Sequence, residues 1–258
     1  MEKIKKIKSK FRILLLMFIF MSIVLIPRYA LALDADNDGI PDDMEGSKIC
    51  LPFGAEPNST LGCHDTIPGS ADVFVILEKA EQSLLPDDPL SLISDEMKGN
   101  PFINLHIITK EEAPDQVIMD PVYALLLKEN TTPTDGAVGI STIGTPAYKI
   151  YGYVYTQRII DDVWNACANA SEILLALGSA EPVQATPNEI AEIYMKNVAA
   201  HETFHMLGRV VPANKKVGEH YAQQGYIMDH HMYYKEKKGK VTWYITDAWA
   251  DADVPRFR

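Results

Sequence analysis

The stretch from Thr186 to Gly208 constrains this chain more than any other. Thr186 suits a helix N-cap, Pro187 suits the first helical position, and Glu189 closes a capping box three residues on. Gly208 suits the stop at the other end. The pattern predicts a helix from Pro187 to Leu207, about 30 Å long at 1.5 Å per residue. Ile190, Ile193, Tyr194 and Val198 recur at three- and four-residue steps, so one face must be buried. The last two turns read His201-Glu202-Thr203-Phe204-His205, followed by Met206-Leu207-Gly208. Positions four apart share a helix face, so His201 and His205 aim two imidazoles at one place, with Glu202 beside them. Neutral imidazoles suit a zinc ion, and a carboxylate next to zinc-activated water serves as general base. The plainer alternative is a helix with two exposed histidines and no metal. Capping at both ends and the HxxG extension weigh against it.

The N-terminus bears on the setting of such a site. Lys3, Lys5, Lys6, Lys8, Lys10 and Arg12 precede an almost wholly apolar run from Ile13 to Pro27, and Ala30-Leu31-Ala32 fits a small-residue cleavage site. This is the pattern of a secretory signal peptide over residues 1–32. The run is about 15 residues, short of the ~20 a spanning helix needs; an uncleaved anchor is the second reading. The expected location is secreted, extracellular or periplasmic. The segment holds seven of the 24 basic residues and one of the 35 acidic ones. The remainder carries 17 basic and 34 acidic residues, a net charge near −17. Such a surface excludes nucleic acid as a partner, and membrane as a partner once the signal is removed. It favours cations.

Two further features fit an oxidising compartment. Cys50 and Cys63 bracket a Pro-, Gly-, Asn- and Ser-rich loop, which reads as a local disulfide contributing roughly 3 kcal/mol. Cys167 is left over and reads as a buried, small apolar side chain. Asn58-Ser59-Thr60 is a glycosylation sequon by pattern. Ahead of these, residues 34–45 fit D-x-D-x-D-G-x-x-D-x-x-E. Asp34, Asp36, Asp38, Asp42 and Glu45 fall at loop positions 1, 3, 5, 9 and 12, the backbone carbonyl of Ile40 at 7, and Gly39 at the sharp turn. That is a calcium-loop arrangement. It resembles the short loops of thrombospondin type 3 repeats more than an EF-hand, since no incoming helix fits before Asp34. An acidic surface turn is the alternative.

Between these ends, β-branched and aromatic content predicts strands at Asp72–Leu77, Ile103–Thr109 and Ala147–Thr156, with weaker ones at Val122–Leu127 and Ala137–Thr142. Glu78–Leu85 reads as a helix. Residues 157–180 begin as a helix and end ambiguously. His64 reads as a surface histidine and His106 as a satisfied sheet histidine. Tyr151, Tyr153 and Tyr155 share one strand face, where they either line a cleft or pack the sheet. Thr242–Ile245 suggests a strand and Thr246–Val254 a short closing helix. The fold class is therefore α/β (α+β): a mixed, mostly parallel twisted sheet with packed helices, and a smaller irregular C-terminal part. The expected organisation is a segment 33–71 with the acidic loop and disulfide, an upper catalytic part 72–208, and a lower part 209–258.

Two histidines leave zinc a ligand short, because a catalytic zinc takes three protein ligands and one open position. HExxHxxGxxH would place the third at position 211, which is Val211. His220 is the next histidine, and Met228 stands eight residues beyond it. Glu219 and His230 are the other candidates for third ligand, in that order. The set His201, Glu202, His205, Gly208, His220 and Met228 resembles the metzincin zinc peptidases, with archaemetzincin-like spacing and an insertion at 209–219 before the third histidine. The resemblance spans roughly residues 72–232. It implies that His220 completes the zinc site and that Ile227-Met228 forms the Met-turn, an apolar floor beneath the metal. His230 stands where some metzincins place a transition-state donor, and Tyr233 and Tyr234 are near enough in sequence to supply a phenol. The implied activity is secreted, zinc-dependent endopeptidase cleavage of protein or peptide substrates, with Glu202 as base and zinc as cofactor; calcium is the second expected ion. A non-catalytic calcium- and zinc-stabilised adhesion or binding module is the alternative. No GxSxG elbow, P-loop or Rossmann glycine pattern competes.

Overall fold

The computed structural model describes residues 34–36, 38–54, 62–96, 103–119, 122–132, 136–141, 151–178, 180–207, 216–217, 220–221 and 233–246. The chain divides at Leu33 and Asp34, and all described residues belong to the second unit. The proposed signal peptide, Asn58, Gly208, Glu219, Met228, His230 and the closing helix after Thr246 lie outside the described residues.

The fold is α/β, with two sheets around the long helix. Strands β1 (Lys48–Cys50) and β2 (Cys63–Asp65) form an antiparallel pair. Cys50 lies opposite Cys63, and the two form the disulfide. Then come β3 (Ala71–Glu78), α1 (Ser91–Glu96), β4 (Ile103–Ile108), β5 (Val117–Met119), β6 (Val122–Tyr123), β7 (Leu125–Asn130), β8 (Gly139–Ser141) and β9 (Tyr151–Tyr155). The main sheet has five strands in the order β4-β3-β7-β9-β8. The first four run parallel; β8 is antiparallel and lies at the edge. Helix α2 (Thr156–Cys167) follows, then β10 (Glu172–Leu177), β11 (Val183–Gln184) and helix α3 (Pro187–Met206). Beyond α3 are β12 (Lys216–Val217), β13 (His220–Tyr221), β14 (Tyr233–Lys237) and β15 (Lys240–Ile245). The second sheet runs β11-β10-β15-β14, with β10 and β15 parallel.

Alternation along β3 explains the two cores. Val73, Val75 and Leu77 face the helices with Leu125, Leu127 and Val154. Phe74 and Ile76 face the other way, against Ile40, Ile49 and Leu51 of the N-terminal segment. A parallel strand buried on both faces reads as a nearly continuous apolar run, as Val73–Leu77 does. Helix α3 belongs wholly to the first core through Ile190, Tyr194, Val198 and Phe204. Its capping box forms as expected: Thr186 Oγ1 accepts from the Glu189 N–H at 3.3 Å, and Glu189 accepts from the Thr186 N–H at 2.7 Å. Asn197 Nδ2 donates to the Thr246 carbonyl at 2.6 Å and ties the end of β15 to this helix.

Three expectations change. Glu78–Leu85 is the end of a strand followed by turns, not a helix. The buried Glu129 carboxylate takes the N–H groups of Ala80 (3.0 Å), Leu84 (2.7 Å) and Leu85 (3.1 Å), so the loop satisfies its donors without helical carbonyls. The ambiguous run Glu172–Leu177 is a strand, held by parallel pairing with β15, a partner 68 residues away. His64 is mostly covered, not on the surface: its Nε2 lies 3.0 Å from Glu112 Oε1. Cys167 is buried, as expected.

Candidate metal centre and its supporting strands

His201 and His205 occupy the last two turns of α3. Their Nε2 atoms lie 3.0 Å apart and their rings cross at 79° with centroids 4.6 Å apart. Two nitrogens at 2.0–2.1 Å from a tetrahedral zinc stand about 3.3 Å apart. The pair is therefore within a few tenths of an ångström of that spacing. His205 is buried and His201 partly exposed, so the pair has one covered member and one that opens outward. Both atoms are imidazole nitrogens on one helix face, a donor set that suits zinc and not a hard oxygen-seeking cation.

Glu202 is 6% exposed and is pressed between α3 and the sheet. Burial pushes its carboxyl up to about 7, opposed by a hydrogen bond from the Ser141 hydroxyl. A neighbouring dication would draw it down again. The close approach is made possible by two glycines. A Cβ on Gly139 would clash with Oε1 of Glu202, with its Cγ at 2.8 Å and with Val198 Cγ1 at 2.7 Å. A Cβ on Gly152 would meet Met206 Sδ at 3.3 Å and Glu202 Cβ at 3.4 Å. Side-chain-free positions in β8 and β9 thus let the helix lie flat on the edge of the sheet. Gly152 and Val154 point toward α3, so Tyr151, Tyr153 and Tyr155 point to the opposite face. There Tyr151 meets Tyr153 edge to face with centroids 5.5 Å apart, and Tyr153 stacks on Tyr155 at 6.1 Å. The tyrosine row packs the sheet on the face away from Glu202.

Ser141, Gly139 and Gly152 are the residues sequence reading missed. The signal was present: glycines inside predicted strands mark a close backbone approach. His220 opens strand β13, paired with Val217 across a two-residue connection. Strands β12 and β13 are an antiparallel pair; the His220 side chain lies outside the described residues. Tyr233 stacks on Tyr244 across β14 and β15 at 4.9 Å, with Lys235 Nζ 5.3 Å from its ring centroid.

Three carboxylates of the acidic loop come together. Asp34, Asp36 and Asp38 bring carboxylate oxygens within 4.8 Å of one another. Gly39 takes the positive φ (93°) that the sharp turn requires. Asp34 Oδ2 accepts from the Gly39 N–H at 3.1 Å, and Asp38 Oδ1 from the Ile40 N–H at 2.7 Å. Asp42 takes a bracing part: its Oδ1 accepts from the Ala35 N–H at 2.8 Å. A second cluster joins Asp38 and Glu45 to Asp72 of strand β3, a residue outside the loop motif.

No protein-family model matches the chain, and no curated protein does. A solved structure described as "Structure of a chaperone-substrate complex" aligns over 67% of this chain and 29% of its own, at 13% identity and a TM-score of 0.34. This chain therefore spans under a third of the length of that one.

Proposed function

We propose that this chain is a secreted zinc-dependent endopeptidase resembling the metzincins. The observation that carries the reading is the convergence of two imidazole nitrogens, 3.0 Å apart, at the end of a capped helix whose adjacent glutamate is buried against the sheet edge. Bound zinc would supply a Lewis acid that acidifies water and polarises a peptide carbonyl. His201 and His205 would hold it, with His220 as third ligand. Glu202 takes the proton from the attacking water and returns it to the leaving amine. Its nearly dry position, with a single hydroxyl for support, keeps the carboxylate basic enough for that task. Strand β8 pairs with β9 alone among the described residues, and its Ile140 side chain is half exposed. An extended peptide adding to that edge would run past Ser141, the residue that touches Glu202.

The test is metal content together with a peptide-library cleavage profile, with and without chelator. The wild type should carry one zinc per chain and cleave peptides. Glu202→Gln should keep the zinc and lose roughly 10²- to 10⁴-fold in rate, the usual loss on removing a general base. A zinc-loaded wild type that cleaves nothing, and is indistinguishable from Glu202→Gln, would move the assignment to a metal-stabilised adhesion module. Zinc content of His220→Ala against Glu219→Ala decides the third ligand; full occupancy in His220→Ala would remove His220 from the site.

A further inference from the structure

The acidic loop is not closed on itself. Strand β3 alternates faces, and Asp72 points away from α3, to the side where Phe74 and Ile76 meet the N-terminal segment. Asp72 is 3% exposed. Its Oδ1 lies 2.6 Å from His106 Nε2 and accepts from Asn104 Nδ2 at 2.7 Å; its Oδ2 accepts from the Ile67 N–H at 3.3 Å. Its backbone N–H donates to Asp38 Oδ2 at 2.6 Å, which joins strand and loop directly. Asp38, Glu45 and Asp72 then bring one carboxylate oxygen each within 4.8 Å of the others, and Asp38 is shared with the Asp34–Asp36 cluster.

Glu45 is the second observation. It is 8% exposed, and neither of its carboxylate oxygens has a hydrogen-bond partner among the described residues. Asp34 Oδ1 and Asp36 Oδ2 are likewise buried and unpartnered. A covered carboxylate with no donor is costly, and protein interiors seldom leave one so. The two groups share Asp38, and a cation held between them would give each of these oxygens a partner.

We propose that Asp34, Asp36, Asp38, Glu45 and Asp72 together bind one calcium-class divalent cation, and that this ion fastens residues 34–50 to strand β3 on the sheet face opposite α3. Carboxylate oxygens from a turn, a short loop and a strand give the oxygen-rich, adaptable shell that calcium takes; magnesium demands a stricter octahedron. The ion is structural. It covers Phe74 and Ile76 by holding Ile40 and Ile49 over them, and it sits on the far side of the sheet from Glu202. The site does not depend on the zinc reading.

The experiment titrates calcium chloride, then magnesium chloride, calorimetrically into purified, metal-depleted protein carrying Glu202→Gln, which removes self-cleavage. One calcium should bind per chain, at least tenfold more tightly than magnesium. Glu45→Gln and Asp72→Asn should each weaken calcium binding at least tenfold. Asp43→Asn, which removes an exposed carboxylate of the same loop that belongs to neither cluster, should change it less than threefold. Calcium should slow proteolysis within residues 34–50 at least tenfold, and not in Glu45→Gln. If Asp72→Asn does not fold, Glu45→Gln decides, since its side chain has no donor among the described residues to lose. No calcium binding at millimolar concentration, equal affinity for magnesium, or unchanged binding in Glu45→Gln would overturn the proposal. Wild-type affinity in a folded Asp72→Asn would overturn the part given to strand β3.

Discussion

Glu129 and Glu45 are the same residue at nearly the same depth, 9% and 8% exposed, on opposite faces of one sheet. Their carboxyls shift in opposite directions. Burial alone would raise Glu129, but hydrogen bonds from Ser83, Leu84, Ala80 and Thr156 together outweigh it and lower the group. Burial raises Glu45 to about 8, and its nearest charges, Asp36, Asp38 and Asp72, push the same way. Depth therefore does not decide what a buried carboxylate is for; the supply of donors does. Glu129 has its donors and organises a loop. Glu45 has none among the described residues, which fits the ion proposed for it. Glu202, at 6% exposed with one hydroxyl from Ser141, stands between them, which fits the base proposed for it.

The largest way to break this comparison is to make the same substitution at both positions. Glu129→Gln should destabilise the protein by about 2–4 kcal/mol, because it strands N–H donors that a charged acceptor now serves. Glu45→Gln in calcium-free buffer should change stability by less than about 1 kcal/mol, since it removes no hydrogen bond among the described residues. Chemical denaturation of both variants checks this; equal losses would refute the donor argument. The pH dependence follows with its own sign. Glu129 is lowered on folding, so its contribution is present above the ordinary glutamate value of 4.5 and is lost as pH falls through the folded value. Between pH 7 and 3, Glu129→Gln should thus lose less stability than the wild type, narrowing the gap between them.

A smaller effect is expected at the sheet edge. Gly139→Ala puts a methyl group against Glu202 and Val198, and overpacking of this kind costs about 1–3 kcal/mol. Peptide cleavage should fall with it, while calcium binding on the other face should not. The smallest is at the helix start. Thr186→Ala removes the cap on the Glu189 N–H and should cost roughly 1 kcal/mol, read as a modest fall in melting temperature with zinc content intact.

What could be read in advance divides along the same line. The α3 helix was legible because its start, period and stop are local: Thr186, Pro187, Glu189 and the three- and four-residue steps lie within one stretch. The grouping of Asp34, Asp36 and Asp38 was legible for the same reason, with its offsets fixed inside five residues. What was not legible is what arrives from elsewhere. Asp72 joins the loop from a strand that looked only like sheet core. Glu129 reaches back more than 40 residues to unmake a helix that Glu78–Leu85 suggested on propensity. Ser141 meets Glu202 only because β8 folds antiparallel onto β9. Propensity describes a segment by itself, and these three outcomes are decided by a partner distant in sequence.

The two glycines on β8 and β9 carry one more consequence. With no side chains of their own, they leave the gap between edge strand and helix to be filled by Glu202 itself. The carboxylate is thus also a spacer, and its length sets how high the edge strand rides. Truncating Glu202 to alanine would empty that gap and let the strand settle, so activity, stability and substrate access would all change at once. An isosteric replacement keeps the distance and alters only the proton chemistry. In this molecule the choice between Gln and Ala at position 202 separates a question about reaction from a question about architecture.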